Sequence, residues 1–512
     1  MERQAPRQLL YENQLPLAIE SKSTRRLFFP EGGATYGPSG GANPNIIRIP
    51  INADSLLDVQ HSFLQFNLNM GDTNDANDLA PDIGVPFIRR LRIESAGTTL
   101  EDINAYGKLY GGVLFPTQAS NGAIHDAEIT TAGIGQVQGT LTQLAVGAGG
   151  AGQGNIPQVA GGAFAGANPT TVETLAAQNA TIAAIVAAYN TRTVNGGSQG
   201  NVLHNVNTRL VGNGNNTIKY NIPLVSALLN MEKYLPLVMM NAGITLEIEL
   251  DIANSIGVSR AANGGAADAD WTITDVRYVG HLIDLQRDFY DKMRMVMEGS
   301  GGVLQLAGST FRHYSGNCVA AATATDIVNL PARVKSIQSV FFTMTPSADV
   351  SSNARFGVSN SLPNGLTSFQ FRIGSVVYPP TSVQVNKGRP GNANQYTNKG
   401  EAYQELRKAF GTIGDYREGG MLVQNAGYLP AGNTGNVIGA GGVPLMSPFG
   451  LDFQSFPKTA LESGINTADR SLNMSLELTR TAGSGNACVV DAWLLCDAIF
   501  YVNRDGSVSV SV

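Results

Sequence analysis

The chain reads as an all-β protein built from two tandem β domains, and three observations lead there. The same order of signals occurs twice: alternating strands, a short amphipathic helix, an Ile/Val-Pro-Leu corner, a strand apolar on one face, and a closing hydrophobic strand. The corner is Ile222-Pro223-Leu224 and then Val443-Pro444-Leu445, an offset of 221 residues (445 − 224). The one-faced strand is Ala242 to Leu250 and then Ser471 to Leu478, each alternating with period two, so each is half-buried. The helices before the corners lie further apart, 297 residues between Tyr106 and Tyr403 (403 − 106), which exceeds the corner offset by 76 (297 − 221). An internal repeat with one enlarged loop accounts for the difference, and the Gly- and Ala-rich tract from about Gln118 to Gly200 is the predicted insertion.

Taken in order, residues 1–44 mix charges, prolines and glycines around one apolar knot, Leu27-Phe28-Phe29-Pro30. They are predicted to form an extended N-terminal arm ordered mainly by contact with a partner. The first domain is predicted over 45–285. Ile47, Ile49 and Ile51 make one half-buried strand and Leu64, Phe66, Leu68 and Met70 another, with a turn between them at Asp54 to Gln60. In the next strand Leu91 and Ile93 face the core, while Arg90, Arg92 and Glu94 face out. Thr98 with Glu101 spells a capping box, predicting a helix with Ile103, Tyr106, Tyr110 and Val113 on one stripe. Thr170 with Glu173 spells a second, predicting one helix inside the insertion. Trp271 to Leu285 closes the domain as a strand, and 286–301 is a helical linker. The second domain, 302–512 with its C-terminal tail, repeats the scheme through Phe341-Phe342, Phe369 to Ile373, a helix at Glu401 to Phe410, a glycine-rich loop at Gly427 to Gly442, and the run Cys488 to Val502.

A length of 512 residues suits two large β units, each able to bury a full core without disulfides or metal. The 59 glycines and 23 prolines then belong mainly to the loops such units need. A net charge of −6 is spread without long runs of either sign, which excludes the electrostatic footprint of a sequence-independent DNA binder. Cys318, Cys488 and Cys496 make an odd count. The last two, eight strand residues or ~26 Å apart, are too distant for a disulfide, so a reducing compartment is expected. The N-terminus shows no apolar stretch of signal-peptide length and no window reaches a membrane span, so synthesis in the cytosol is expected.

The motifs that spell chemistry lack its context. Gly37-Pro38-Ser39-Gly40-Gly41 matches a nucleophile elbow but has neither the preceding strand nor the following helix, and reads as a flexible loop. Gly147, Gly149 and Gly152 spell a dinucleotide fingerprint inside low-complexity sequence with no βαβ unit. His61, His125, His204, His281 and His313 are scattered singly, off metal-ligand spacing. The acidic stretch Asp72 to Asp78 has Ala76 where a calcium loop needs its fifth-position ligand, and reads as a solvated turn. No catalytic residue, cofactor site or metal site is predicted. Arg25 and Arg26 are weighed as contacts for an anionic partner against ordinary solvated arginines.

The stretches Asp58 to Phe66, Ile93 to Ile103 and Glu232 to Leu237, with Ser336 to Phe342, Phe371 to Pro380 and Asp497 to Gly506 in the second half, occur in an order and spacing that carry a resemblance. Asn45 to Val113 and Ile222 to Leu285 resemble the first barrel of double jelly-roll major capsid proteins, above all those of polinton-like viruses, virophages and related eukaryotic double-stranded DNA viruses. The resemblance implies two tandem eight-stranded jelly rolls, a homotrimer whose six barrels form a pseudo-hexagonal capsomer, and an icosahedral shell around a double-stranded DNA genome. It also implies no enzymatic activity and a place in the virion, with assembly inside the host cell. The insertion and the Gly427 to Gly442 loop are then expected at the capsomer top, where a host receptor would meet them. Implied partners are further copies of the chain, penton and minor capsid proteins, and, through the arm, an internal membrane or the genome. Arg25, Arg26, Leu27, Phe28 and Phe29 are the candidate arm contacts. The rival reading is a tandem jelly-roll glycan-binding protein, for which only Trp271 and Trp493 are available, both in predicted core strands. A polysaccharide-active enzyme is a third, without a convincing acidic pair.

Overall fold

The structure is a computed structural model that describes residues 20–70, 77–79, 85–114, 117, 217–231, 233–252, 258–261, 271–299, 301–320, 325–347, 350, 365–385, 400–411, 448–455, 463–469, 472–480 and 487–512. The predicted insertion with its Thr170/Glu173 helix, the Gly427 to Gly442 loop and the second Pro corner lie outside the described residues.

The first barrel comprises β1 (Ser21–Phe28), β2 (Ile46–Ile51), β3 (Leu56–Met70), β4 (Ile88–Ser95), β5 (Thr98–Asn104), β6 (Thr217–Ile222), β7 (Ile244–Leu250) and β8 (Trp271–Leu285). The second comprises β9 (Val303–Cys318), β10 (Thr325–Leu330), β11 (Ile337–Pro346), β12 (Leu366–Ile373), β13 (Val376–Gln384), β14 (Phe449–Asp452), β15 (Met474–Arg480) and β16 (Cys488–Asn503). Hydrogen bonding orders the first set as β1-β8-β3-β6 and β2-β7-β4-β5, and the second as β9-β16-β11-β14 and β10-β15-β12-β13. Adding eight to each label of the first pair of sheets yields the second pair. The repeat read from the sequence is therefore a repeat of topology, two eight-stranded antiparallel jelly rolls. Helix α1 (Tyr106–Lys108, continuing as a π-helical turn over Leu109–Leu114) follows β5. Helix α2 (Arg287–Gly299) joins the barrels, and α3 (Gly400–Ala409) follows β13 as α1 follows β5.

Alternation explains which faces are buried. In β7, Ile244, Leu246, Ile248 and Leu250 point into the barrel, while Thr245, Glu247 and Glu249 point out. The outward face carries a ladder of opposite charges across neighbouring strands: Arg48 with Glu247 at 2.6 Å, Arg92 with Glu247 at 3.7 Å, and Arg90 with Asp102 at 2.6 Å. Such part-exposed pairs each contribute at most about 1 kcal/mol, but they keep this wall polar. Trp271 and Trp493 are fully buried, so neither offers a sugar platform.

Three expectations are corrected. The predicted turn at Asp54 to Gln60 is confined to residues 52–55, and β3 already pairs with β8 from Leu56. The polar residues there belong to an irregular stretch of strand, where the Asp58 carboxylate accepts from the His61 backbone N–H and lies 2.7 Å from its ring Nδ1. The Thr98/Glu101 capping box caps nothing: Thr98 to Asn104 is strand, and the helix starts only at Tyr106. Ala96 and Gly97, both at positive φ, form the tight turn that makes β4 and β5 a hairpin, and that geometry overrides the local helix signal. Residues 21–28, expected in the arm, are strand β1, paired along its length with β8, and Tyr36 is a core side chain. The hydrogen-bonding edge of β8 that the sequence left unassigned is the physical reason.

Both barrels stand the same way up. β5 and β7 end where β6 and β8 begin, with Met70 of β3 paired to Trp271 and Asn69 to Thr217. The connection from α1 to β6 therefore leaves and returns at this end, as does the connection from α3 to β14 in the second barrel. Lys108, near this end of the first barrel, bonds Asp491 near the same end of the second. At the opposite end the Asn241 backbone N–H donates to the Gly506 carbonyl at 3.1 Å. Ser21, paired with Leu285, is at that opposite end, so residues 1–19 attach away from the long connections.

Candidate functional site at the junction of the two barrels

Two buried polar clusters lie where the barrels meet. β5 is the edge strand of its sheet and β9 is the edge strand of its own, and the two edges abut. Glu101 of β5 is 3% exposed. Its carboxylate accepts the Ala227 backbone N–H at 2.9 Å and the Thr310 hydroxyl of β9 at 2.6 Å. Burial pushes the Glu101 carboxyl above its usual range, although these donors oppose the shift. Gly308 makes the approach feasible, since a Cβ there would sit 2.8 Å from the Ala227 carbonyl oxygen.

A second cluster sits nearer the end with the long connections. Asp491 of β16 receives Lys108 from α1 and lies 2.9 Å from His313 Nε2 of β9. Burial alone would raise the Asp491 carboxyl, but Lys108 and His313 hold it well below the ordinary carboxylate range. Around both clusters the cores merge. Tyr106, Leu109, Val113 and Leu228 of the first barrel share one buried cluster with Phe311, Phe341, Trp493 and Phe500 of the second. The Val225 backbone N–H donates to the Tyr106 hydroxyl at 2.7 Å, which ties α1 to the loop after β6. This arrangement welds two barrels in one relative pose.

The candidate arm residues are separated rather than gathered. Arg25 and Arg26 are exposed on β1, Leu27 is 36% exposed, and Phe29 is 60% exposed beyond the strand. Phe28 instead enters the first core at 6% exposure, over Gly280, where a Cβ would meet its ring at 2.8 Å. The Arg26 guanidinium lies 5.2 Å from the Phe28 ring centroid. Among the described residues no three His, Cys, Asp or Glu side chains converge as a metal site. The sequence reading missed the junction residues. Glu101 was assigned to a cap, His313 was read singly, and Thr310, Lys108 and Asp491 carry no local signal. Cys318 stands directly opposite Cys488 across β9 and β16, a pairing that chain spacing alone does not reveal.

No protein-family model matches the chain, and no curated protein sequence matches it. Solved structures do. VP54 of PBCV-1, as fitted into a cryo-EM reconstruction of the virophage Sputnik, is 10% identical with a TM-score of 0.51, over 98% of this chain and 99% of that one. The Faustovirus major capsid protein is 10% identical with a TM-score of 0.52, over 96% of this chain and 92% of that one. At such identity the likeness speaks for architecture, and it spans both barrels and their junction. The chain has the double jelly-roll fold seen in these viral major capsid proteins.

Proposed function

We propose that this chain is a viral major capsid protein, a building block without enzymatic activity. Three copies associate into a capsomer, and capsomers tile an icosahedral shell around double-stranded DNA. The observation that carries the reading is the pose of the barrels: two copies of one topology, the same way up, with their long connections leaving at a single end. Three such pairs in a ring approximate sixfold symmetry, which packs a flat facet without gaps. The long connections then face outward, where added length costs little because loop-closure entropy grows slowly. A receptor would meet that surface. Residues before Ser21 emerge at the opposite end, facing inward toward a minor capsid protein, an internal membrane or the genome. The charged ladder on the first barrel suits the smaller, more polar contacts expected between capsomers and pentons. The particle, assembled in the host cell, is where the protein resides.

Light scattering on the purified chain tests this. A mass three times 53.9 kDa is expected, and a strict monomer at micromolar concentration would count against the reading.

A further inference from the structure

We infer that Cys318 and Cys488 are a redox-sensitive pair, which closes into a disulfide and staples the last rung of β9 to β16 when the reduced chain meets a peroxide. The inference needs neither the trimer nor the shell and goes beyond the capsomer reading. β9 and β16 pair without a break from Val303 with Asn503 to Cys318 with Cys488. Directly opposed residues of an antiparallel pair have Cα atoms about 4.5 or 5.5 Å apart, according to the rung, and a disulfide accepts about 4.4 to 6.8 Å. Their Cβ atoms, ordinarily about 4.5 to 5.5 Å apart, need to close by no more than about 1 Å.

The two side chains face one another. Cys318 is 3% exposed and Cys488 is fully buried, both sit in the core of the second barrel, and their thiols share a hydrogen bond. Cys496 provides the contrast. It is as buried as Cys488 in the same core, but its rung partners are Thr310 on β9 and Ile337 on β11, so it packs as a small apolar side chain with no thiol opposite. The pair also borders solvent. Val319, next after Cys318, is 65% exposed, and Ala487, just before Cys488, is exposed as well. Opening of this terminal rung alone admits a small oxidant, whereas a bulky maleimide needs more of the barrel to open. The shared hydrogen bond and burial raise the Cys318 pKa, so the reactive thiolate is scarce at neutral pH and closure is slow.

The chemistry balances without a cofactor. One thiolate attacks an oxygen of hydrogen peroxide, the O–O bond breaks, and hydroxide leaves a sulfenic acid. The opposing thiol attacks that sulfur, the S–S bond forms, the S–O bond breaks and water departs. Two thiols lose two electrons and two protons, and one peroxide becomes two waters. The bond closes a loop of 170 residues (488 − 318), which constrains the unfolded chain. A reducing compartment keeps both thiols free, and the staple forms only outside one.

Peroxide treatment of the purified full chain tests the site. Thiol titration in denaturant after quenching is expected to fall from three per chain to one, and non-reducing peptide maps to show Cys318 joined to Cys488 within a single chain. The melting temperature should rise by about 5 °C, and a reductant should reverse the rise. Cys496→Ser should still form the link, while Cys318→Ser and Cys488→Ser should show neither link nor shift. Three thiols remaining after overnight exposure, sulfinic acids in place of the link, a link through Cys496 or between chains, or a link that leaves the melting temperature unchanged would overturn the proposal. These readouts are indifferent to subunit number, so the capsomer reading stands or falls separately by light scattering.

Discussion

At the scale of single residues, the junction is decided by buried charge. Asp491 has a lowered carboxyl pKa in the folded chain, so its stabilisation is complete above its unfolded value near 4 and is lost as pH falls through the folded value. Glu101 has the opposite sign: its raised pKa makes the fold less favourable as pH rises above its unfolded value near 4 and through the folded one. Glu101→Gln keeps an acceptor for Thr310 and Ala227 without the buried charge. Urea titrations of this variant at pH 4 to 8 are therefore expected to show a weaker pH dependence than the parent. Glu101→Ala strips those donors of their partner and should lower stability by about 2 kcal/mol in the same titration. Asp491→Ala leaves Lys108 and His313 facing each other, and a loss of about 3 kcal/mol or more is expected. Burial holds the Cys496 thiol up at about 12, and the hydrogen bond with Cys488, together with burial, raises Cys318, so maleimide labelling of the folded chain at pH 7.5 should be negligible and become complete only in denaturant. None of these partnerships was legible in the sequence, because Glu101 and Thr310 are 209 residues apart and Lys108 and Asp491 are 383 apart. Local spacing carries no record of such contacts.

Individual elements were legible where periodicity was long and illegible where a turn or a distant edge decided the outcome. Trp271 to Leu285 is strand β8 with those bounds, although its buried face changes phase at an irregularity between Thr274 and Arg277, and the expected helix at Glu401 to Phe410 is α3 within a residue. The Thr98/Glu101 box failed because Gly97 at φ +79 supplies a hairpin turn, a stronger constraint than two capping side chains. β1 failed for a different reason. Its sequence, Ser21 to Phe28, lacks clean alternation and becomes a strand only because β8 offers an unpaired edge. The same dependence makes a prediction: Phe28→Ala, which empties the pocket above Gly280, should cost about 3 kcal/mol. Hydrogen exchange should then show Ser21 to Leu27 losing protection before β8 does. Truncation ahead of Ser21 spares this strand, so such a chain is expected to trimerise normally and to fail only in forming closed particles.

For the whole molecule, the repeat was readable because both halves obey the same succession of strand, helix, corner and strand, and hydrophobic patterning survives where residue identity does not. The relative pose of the halves was not readable, since it depends on Gly308 admitting the Ala227 backbone and on cores that merge across the junction. That pose is what turns a duplicated fold into a tile. In the proposed capsomer, two barrels fixed side by side, the same way up, are the unit that three chains repeat to give six lobes. The most direct test is single-particle imaging of the purified full chain. End-on class averages should show six barrel-sized lobes with threefold symmetry. Averages showing only two lobes, or a ring of any other number, would contradict the account.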